Sequence, residues 1–68
     1  MKKWQIMRMF SGKQQTFNRT QQKWQISNDR WSDVFEATNE EAKQVFKEAT
    51  KGFRKVANVS TPKLYEIT

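Results

Sequence analysis

Between Asn39 and Ala57 the apolar residues Ala42, Val45, Phe46, Ala49, Phe53, Val56 and Ala57 recur at steps of three and four. That spacing puts them on one face of a helix. No other stretch of the chain carries the same period. A lone amphipathic helix cannot bury its apolar stripe against itself, so the remaining residues must supply a second layer, and they read as strands. The expectation is a small two-layer α+β domain in the order β-β(-β)-α-β, taking in residues 1–68. Its antiparallel sheet has three to four strands, with one long amphipathic helix (about 39–57) packed on one face.

The ends of the helix are marked by side-chain chemistry. Thr38 or Asn39 can cap the start, and Thr38 with Glu41 has the spacing of a capping box. Lys51, Arg54 and Lys55 crowd the last turns, where the helix dipole favours cations, and Asn58 can adopt the left-handed stop conformation. Gly52 then falls inside the helix at the margin of its apolar face, where a glycine costs about 1 kcal/mol relative to alanine. Such a position suggests a close backbone approach.

Strand signals flank the helix. The tetrapeptide Lys-Trp-Gln-Ile occurs at residues 3–6 and again at 23–26. In extended chain each copy turns Trp and Ile to one face and Lys and Gln to the other. The first copy opens a strand running to Phe10, followed by a Ser11-Gly12 turn. Residues 13–22 are mostly polar and suit either a strand or a loop. Lys23 to Ser27 reads as extended, Asn28-Asp29 as a turn, and Arg30 to Ala37 as a strand with Trp31, Phe35 and Ala37 on one face. Pro62 blocks any continuation of the helix, and Lys63 to Ile67 forms the last strand.

A chain of 68 residues buries only about 60% of the surface that its unfolded form exposes. With neither cysteine nor histidine present, disulfides and histidine-ligated zinc cannot reinforce it. The core must come from five phenylalanines, three tryptophans, one tyrosine and the aliphatic residues. Trp4, Ile6, Trp24, Ile26 and Phe35 or Val34 are expected beneath the helix. The other face of the sheet is then left open, with Phe10, Phe17 and Trp31 competing for space there.

The same inventory argues against catalysis. It lacks the usual neutral-pH acid–base group and thiol nucleophile, there is no Gly-rich phosphate loop, and Asp33 and Glu36 have opposite strand parity. The chain is expected to be non-enzymatic, with no cofactor and no metal. No apolar run approaches a membrane span, and Arg8 interrupts the N-terminal stretch before a secretory segment could form. A cytoplasmic protein follows as the expectation.

Charge points to the partner. The net charge is +6, and residues 1–31 hold seven bases against one acid, whereas residues 32–68 are balanced. A positive surface attracts phosphates and releases their counterions. On the helix, Lys43, Lys47, Lys51 and Arg54 fall within an arc of roughly 80°. At four-residue spacing such like charges repel. An exposed aromatic flanked by Lys13, Arg19, Lys23 or Arg30 has the make-up of a base-stacking platform, and Trp31 and Phe17 are the candidates. The leading expectation is an accessory protein that binds nucleic acid through phosphate contacts and stacking, with little base specificity. The alternative is a small modulator, of the kind phages and mobile elements encode, that docks on an acidic surface of a larger protein or nucleoprotein. Self-association through an edge strand such as Lys63 to Ile67 is a third route to function.

Overall fold

The computed structural model describes residues 1–67. It has five strands and one helix, in the order β1 (Lys2–Phe10), β2 (Lys13–Asn18), β3 (Lys23–Ile26), β4 (Phe35–Ala37), α1 (Asn39–Ala49) and β5 (Lys63–Ile67). All pairings are antiparallel. The fold is a small α+β domain, and among the described residues no helix is long and apolar enough to cross a membrane.

The long first strand organises the sheet. Trp4 is paired with both Phe35 of β4 and Glu66 of β5, and Met7 with both Thr16 of β2 and Lys63 of β5. A strand has two edges, so β5 takes one edge of β1 while β2 and β4 follow each other along the opposite edge. β3 pairs only with β2. The mostly polar segment 13–22, which suited strand or loop, is therefore a strand as far as Asn18. Phe10 faces Lys13 across a two-residue turn, Ser11-Gly12, with φ of 50° and 78°. Positive φ at both turn positions is the hairpin geometry that matches strand twist.

The helix begins as its sequence predicts. The Thr38 hydroxyl accepts from the Glu41 N–H, and the Glu41 carboxylate accepts from the Thr38 N–H. It stops much earlier than the apolar spacing implies, after 11 residues. Thr50 closes it, donating its hydroxyl to the Phe46 carbonyl at 2.9 Å, and Gly52 turns left-handed at φ 76°. Gly52 is thus a terminator outside the helix, and a Cβ built there meets nothing within 4 Å, which removes the close-approach explanation. Phe53, Val56 and Ala57 keep the helical spacing by coincidence. Residues 58–60 instead run back along the end of β1, where Ser11 N–H donates to the Asn58 carbonyl at 2.7 Å and Ser60 N–H to the Met9 carbonyl at 2.9 Å.

The α1 helix packs on β1, β4 and β5. Trp4, Ile6, Phe17, Phe35, Ala37 and Ala42 form the core, with Trp24, Val45, Phe46, Ala49 and Leu64 partly buried against it. The indole Nε1–H of Trp4 donates to the Ala37 carbonyl at 2.9 Å, so the ring fills the core with its polar edge satisfied.

The opposite face of the sheet is covered over β2 and the middle of β1, while Tyr65 of β5 stays 39% exposed on it. The strand expected over Arg30 to Ala37 is limited to Phe35–Ala37, and the residues before it lie as a loop across the back of β1 and β2. Asp33 accepts from the Thr16 hydroxyl at 2.5 Å and from the Asn18 amide at 2.9 Å. Gln5 donates to the Ser32 carbonyl, and Gln14 to the Ser27 hydroxyl and the Asp29 carbonyl. Thr16 is fully buried and Gln5 and Ser27 nearly so. This is a polar second layer, held by hydrogen bonds that polar groups need when removed from water.

Candidate nucleic-acid interface

Because the helix lies over β1, β4 and β5, the helix-side face of the β2–β3 hairpin is only partly covered. Strand parity and register put Arg8, Gln15 and Ile26 in one row across β1, β2 and β3, with Phe17 and Trp24 in the row beside it and Phe10 and Lys13 on the other side. Phe17 is only 7% exposed and meets Trp24 edge-on, with ring centroids 5.5 Å apart. Its ring is therefore core and is not offered for stacking, contrary to the sequence-based expectation. Trp24 keeps one side toward a cleft.

Two adjoining clefts lie there. The larger, about 520 Å³, lies between the hairpin and the helix, over Phe17, Trp24, Val45 and Ala49, and is rimmed by Arg19, Gln22, Gln44, Glu48 and Lys51. The smaller, about 290 Å³, continues past the end of the helix between Arg8, Trp24, Lys51, Phe53, Arg54 and Val56. Trp24, Ala49 and Lys51 line both. The two clefts adjoin at these residues and together form a groove that is apolar beneath, with Arg8, Arg19, Lys51 and Arg54 as its cations and Glu48 as its acid.

Arg8 and Trp24 are the residues that sequence reasoning missed. The Arg8 guanidinium carbon sits 4.2 Å from the Trp24 ring centroid, and its Nε–H donates to Gln15 Oε1 at 2.8 Å. Burial lowers the pKa of the guanidinium from its ordinary value, a change too far above neutrality to remove the charge. The signal for Arg8 was its parity. It stands on the apolar face of β1 between Ile6 and Phe10, where a cation is out of pattern.

The expected basic residues do not form one surface. Arg19, Lys51 and Arg54 reach the cleft, and Arg19 also sits with its guanidinium carbon 5.7 Å from the Phe35 ring centroid. Lys13 faces the helix side at the far end, opposite Phe10. Lys43 and Lys47 lie on the helix flank turned away from the cleft, since Gln44 and Glu48 line it and at 100° per residue the lysines fall on the other side of the buried stripe. Lys51 and Arg54 are beyond the helix, so the four-residue stripe does not exist as a helical feature. Lys23 points to the back face by its pairing with Asn18. Arg30 and Trp31 belong to the back loop, with the guanidinium carbon 5.5 Å from the ring centroid and Trp31 56% exposed.

The only ion pair among the described residues joins Lys2 to Glu66 at 3.5 Å. Arg8, Arg19, Lys51 and Arg54 have no carboxylate partner there. No cluster of metal-ligating side chains occurs among the described residues. No protein-family model matches the chain, and neither a curated protein nor a solved structure shows significant similarity to it.

Proposed function

We propose that this protein is a non-enzymatic binder of single-stranded nucleic acid, which it takes along the groove between the β2–β3 hairpin and the end of α1. The observation that carries this reading is the pairing of an uncovered, aromatic-floored groove with four cations that have no acidic partner among the described residues. Backbone phosphates are the ligand such cations suit, and their neutralisation releases counterions. Phe10, 42% exposed on the same face as Arg8 and Lys13, supplies a ring for a base to stack on. A groove of this volume lined by aromatic and basic side chains suits a splayed single strand. Little base specificity is expected, because contacts from the groove's cations to phosphates carry no sequence information. A cytoplasmic site of action belongs to the same reading, in keeping with a chain that holds no cysteine.

The test is a titration with fluorescent single- and double-stranded oligonucleotides at two salt concentrations. Tighter binding of single strands, with affinity falling steeply as salt rises, is expected. Failure to bind any oligonucleotide at low salt would overturn the reading and leave the alternative, a protein target with an acidic surface, to be pursued through exposed Ile26 and Val56 beside the groove.

A further inference from the structure

Arg8 is a cation of the groove held by both an aromatic ring and a side-chain hydrogen bond. Its guanidinium rests 4.2 Å from the centre of the Trp24 ring, and Gln15 holds its Nε–H at 2.8 Å. Arginine in such a brace loses little freedom on binding, because its planar fork is already oriented. Gln15 is neutral, so the charge is steered without being neutralised. No carboxylate pairs with Arg8 among the described residues. Among those residues, buried side-chain nitrogens and oxygens without a partner are absent, so the terminal nitrogens of Arg8, for which no protein acceptor is found, keep contact with solvent.

A structural role accounts for this poorly. On the interior parity of β1, between Ile6 and Phe10, an aliphatic side chain would pack against Trp24 without the cost of desolvating a charge. Lys51 and Arg54 line the same small cavity, so three like charges gather around about 290 Å³, an arrangement that repels itself unless an anion enters. Phe53 and Val56 form its apolar wall. A phosphate flanked by sugar and base matches both parts of that lining.

We propose that Arg8 is the anchoring phosphate ligand of the groove, with its fork engaging one backbone phosphodiester bidentately while Lys51 and Arg54 add charge around it. This rests on the nucleic-acid reading above and identifies the point in the groove where the strand is held. The remaining cations then add charge along the path, while Arg8 supplies geometry.

The experiment compares a fluorescent oligothymidylate binding to the parent protein and to the Arg8→Lys, Arg8→Gln, Gln15→Ala and Arg19→Gln variants, at two salt concentrations, with a thermal melt of each. Arg8→Lys should lose about tenfold or more in affinity, because charge alone does not replace two charge-assisted hydrogen bonds. Its salt slope should stay near that of the parent, whereas Arg8→Gln should lower the slope by about 0.7. Gln15→Ala, which keeps the cation and its ring, should also weaken binding, and it decides the matter should both Arg8 variants fail to fold. Parent-like affinity for Arg8→Lys, or for a folded Gln15→Ala, would overturn the anchoring role. If Arg19→Gln still weakened binding in that case, the groove would remain the interface without Arg8 as its anchor. No oligonucleotide binding by the parent would overturn both, and equal Arg8-dependent binding of polyglutamate would show a carboxylate ligand in place of a phosphate.

Discussion

The two copies of Lys-Trp-Gln-Ile test what a local pattern determines. Both are strand, and in both Trp and Ile share the helix-side face, yet Ile6 is 0% exposed and Ile26 60%. The difference arises from the neighbours. Ile6 lies on the central strand under α1, while Ile26 ends an outer strand that pairs with β2, beyond the strands on which the helix chiefly packs. Ile6→Ala should therefore cost about 2–5 kcal/mol of stability, and Ile26→Ala should stay within about 0.5 kcal/mol of the parent. Urea denaturation of the two variants checks this directly. Asp33 illustrates the same dependence for a polar residue. Its carboxylate satisfies the fully buried Thr16 hydroxyl, so Asp33→Ala should cost about 1–3 kcal/mol, read from the same denaturation curves, by leaving that hydroxyl unpaired. Nothing in the residues around position 33 announces this partner, because Thr16 is 17 residues away and the bond depends on how the back loop folds over the sheet.

Among the secondary-structure elements, what could be read depended on whether the signal was local. The capping box at Thr38 and Glu41, the Ser11-Gly12 turn and the strand after Pro62 are encoded by residues close together, and each forms as expected. The C-terminal end of α1 is different, because apolar spacing at 53, 56 and 57 overrode the punctuation at Thr50 and Gly52. Periodicity counts residues and does not register where a left-handed residue has already turned the chain. Gly52→Ala gives a test by sign. Within a helix it would stabilise, but at φ 76° an alanine is strained, so the melting temperature should fall, by an amount equivalent to about 1 kcal/mol. The Arg30–Ala37 segment failed for a related reason. Its alternating aromatics fit a strand, but the hydrogen bonds of Ser32 and Asp33 to Gln5, Thr16 and Asn18 hold most of it in a loop.

For the domain as a whole, the excess of positive charge in the first half of the chain was plain in the sequence, and so was a two-layer arrangement of helix and sheet. How that charge is distributed in space was not. Placing Arg8, Arg19, Lys51 and Arg54 around one groove requires knowing that β2 and β4 share an edge of β1, which leaves the hairpin beyond the helix. Seen in three dimensions, Lys43 and Lys47 belong to another surface, and so do Arg30 and Trp31. Replacing Lys43 and Lys47 by Gln should consequently change the salt slope of oligonucleotide binding far less than replacing Arg19, Lys51 and Arg54. The latter change should lower the slope by up to about 0.7 for each phosphate that is no longer neutralised.

The three tryptophans offer a direct reading of which surface the ligand meets, because each indole N–H gives its own resonance in an amide correlation spectrum. Trp4 is sealed in the core by its bond to Ala37, Trp24 forms the floor of the groove, and Trp31 stands on the back loop. On titration with a short single-stranded oligonucleotide, the Trp24 signal should shift together with the backbone amides of Arg8, Lys51 and Gly52, while those of Trp4 and Trp31 stay in place. A shift of Trp31 with Trp24 unmoved would contradict the assignment of the groove and return the interface to the back of the sheet.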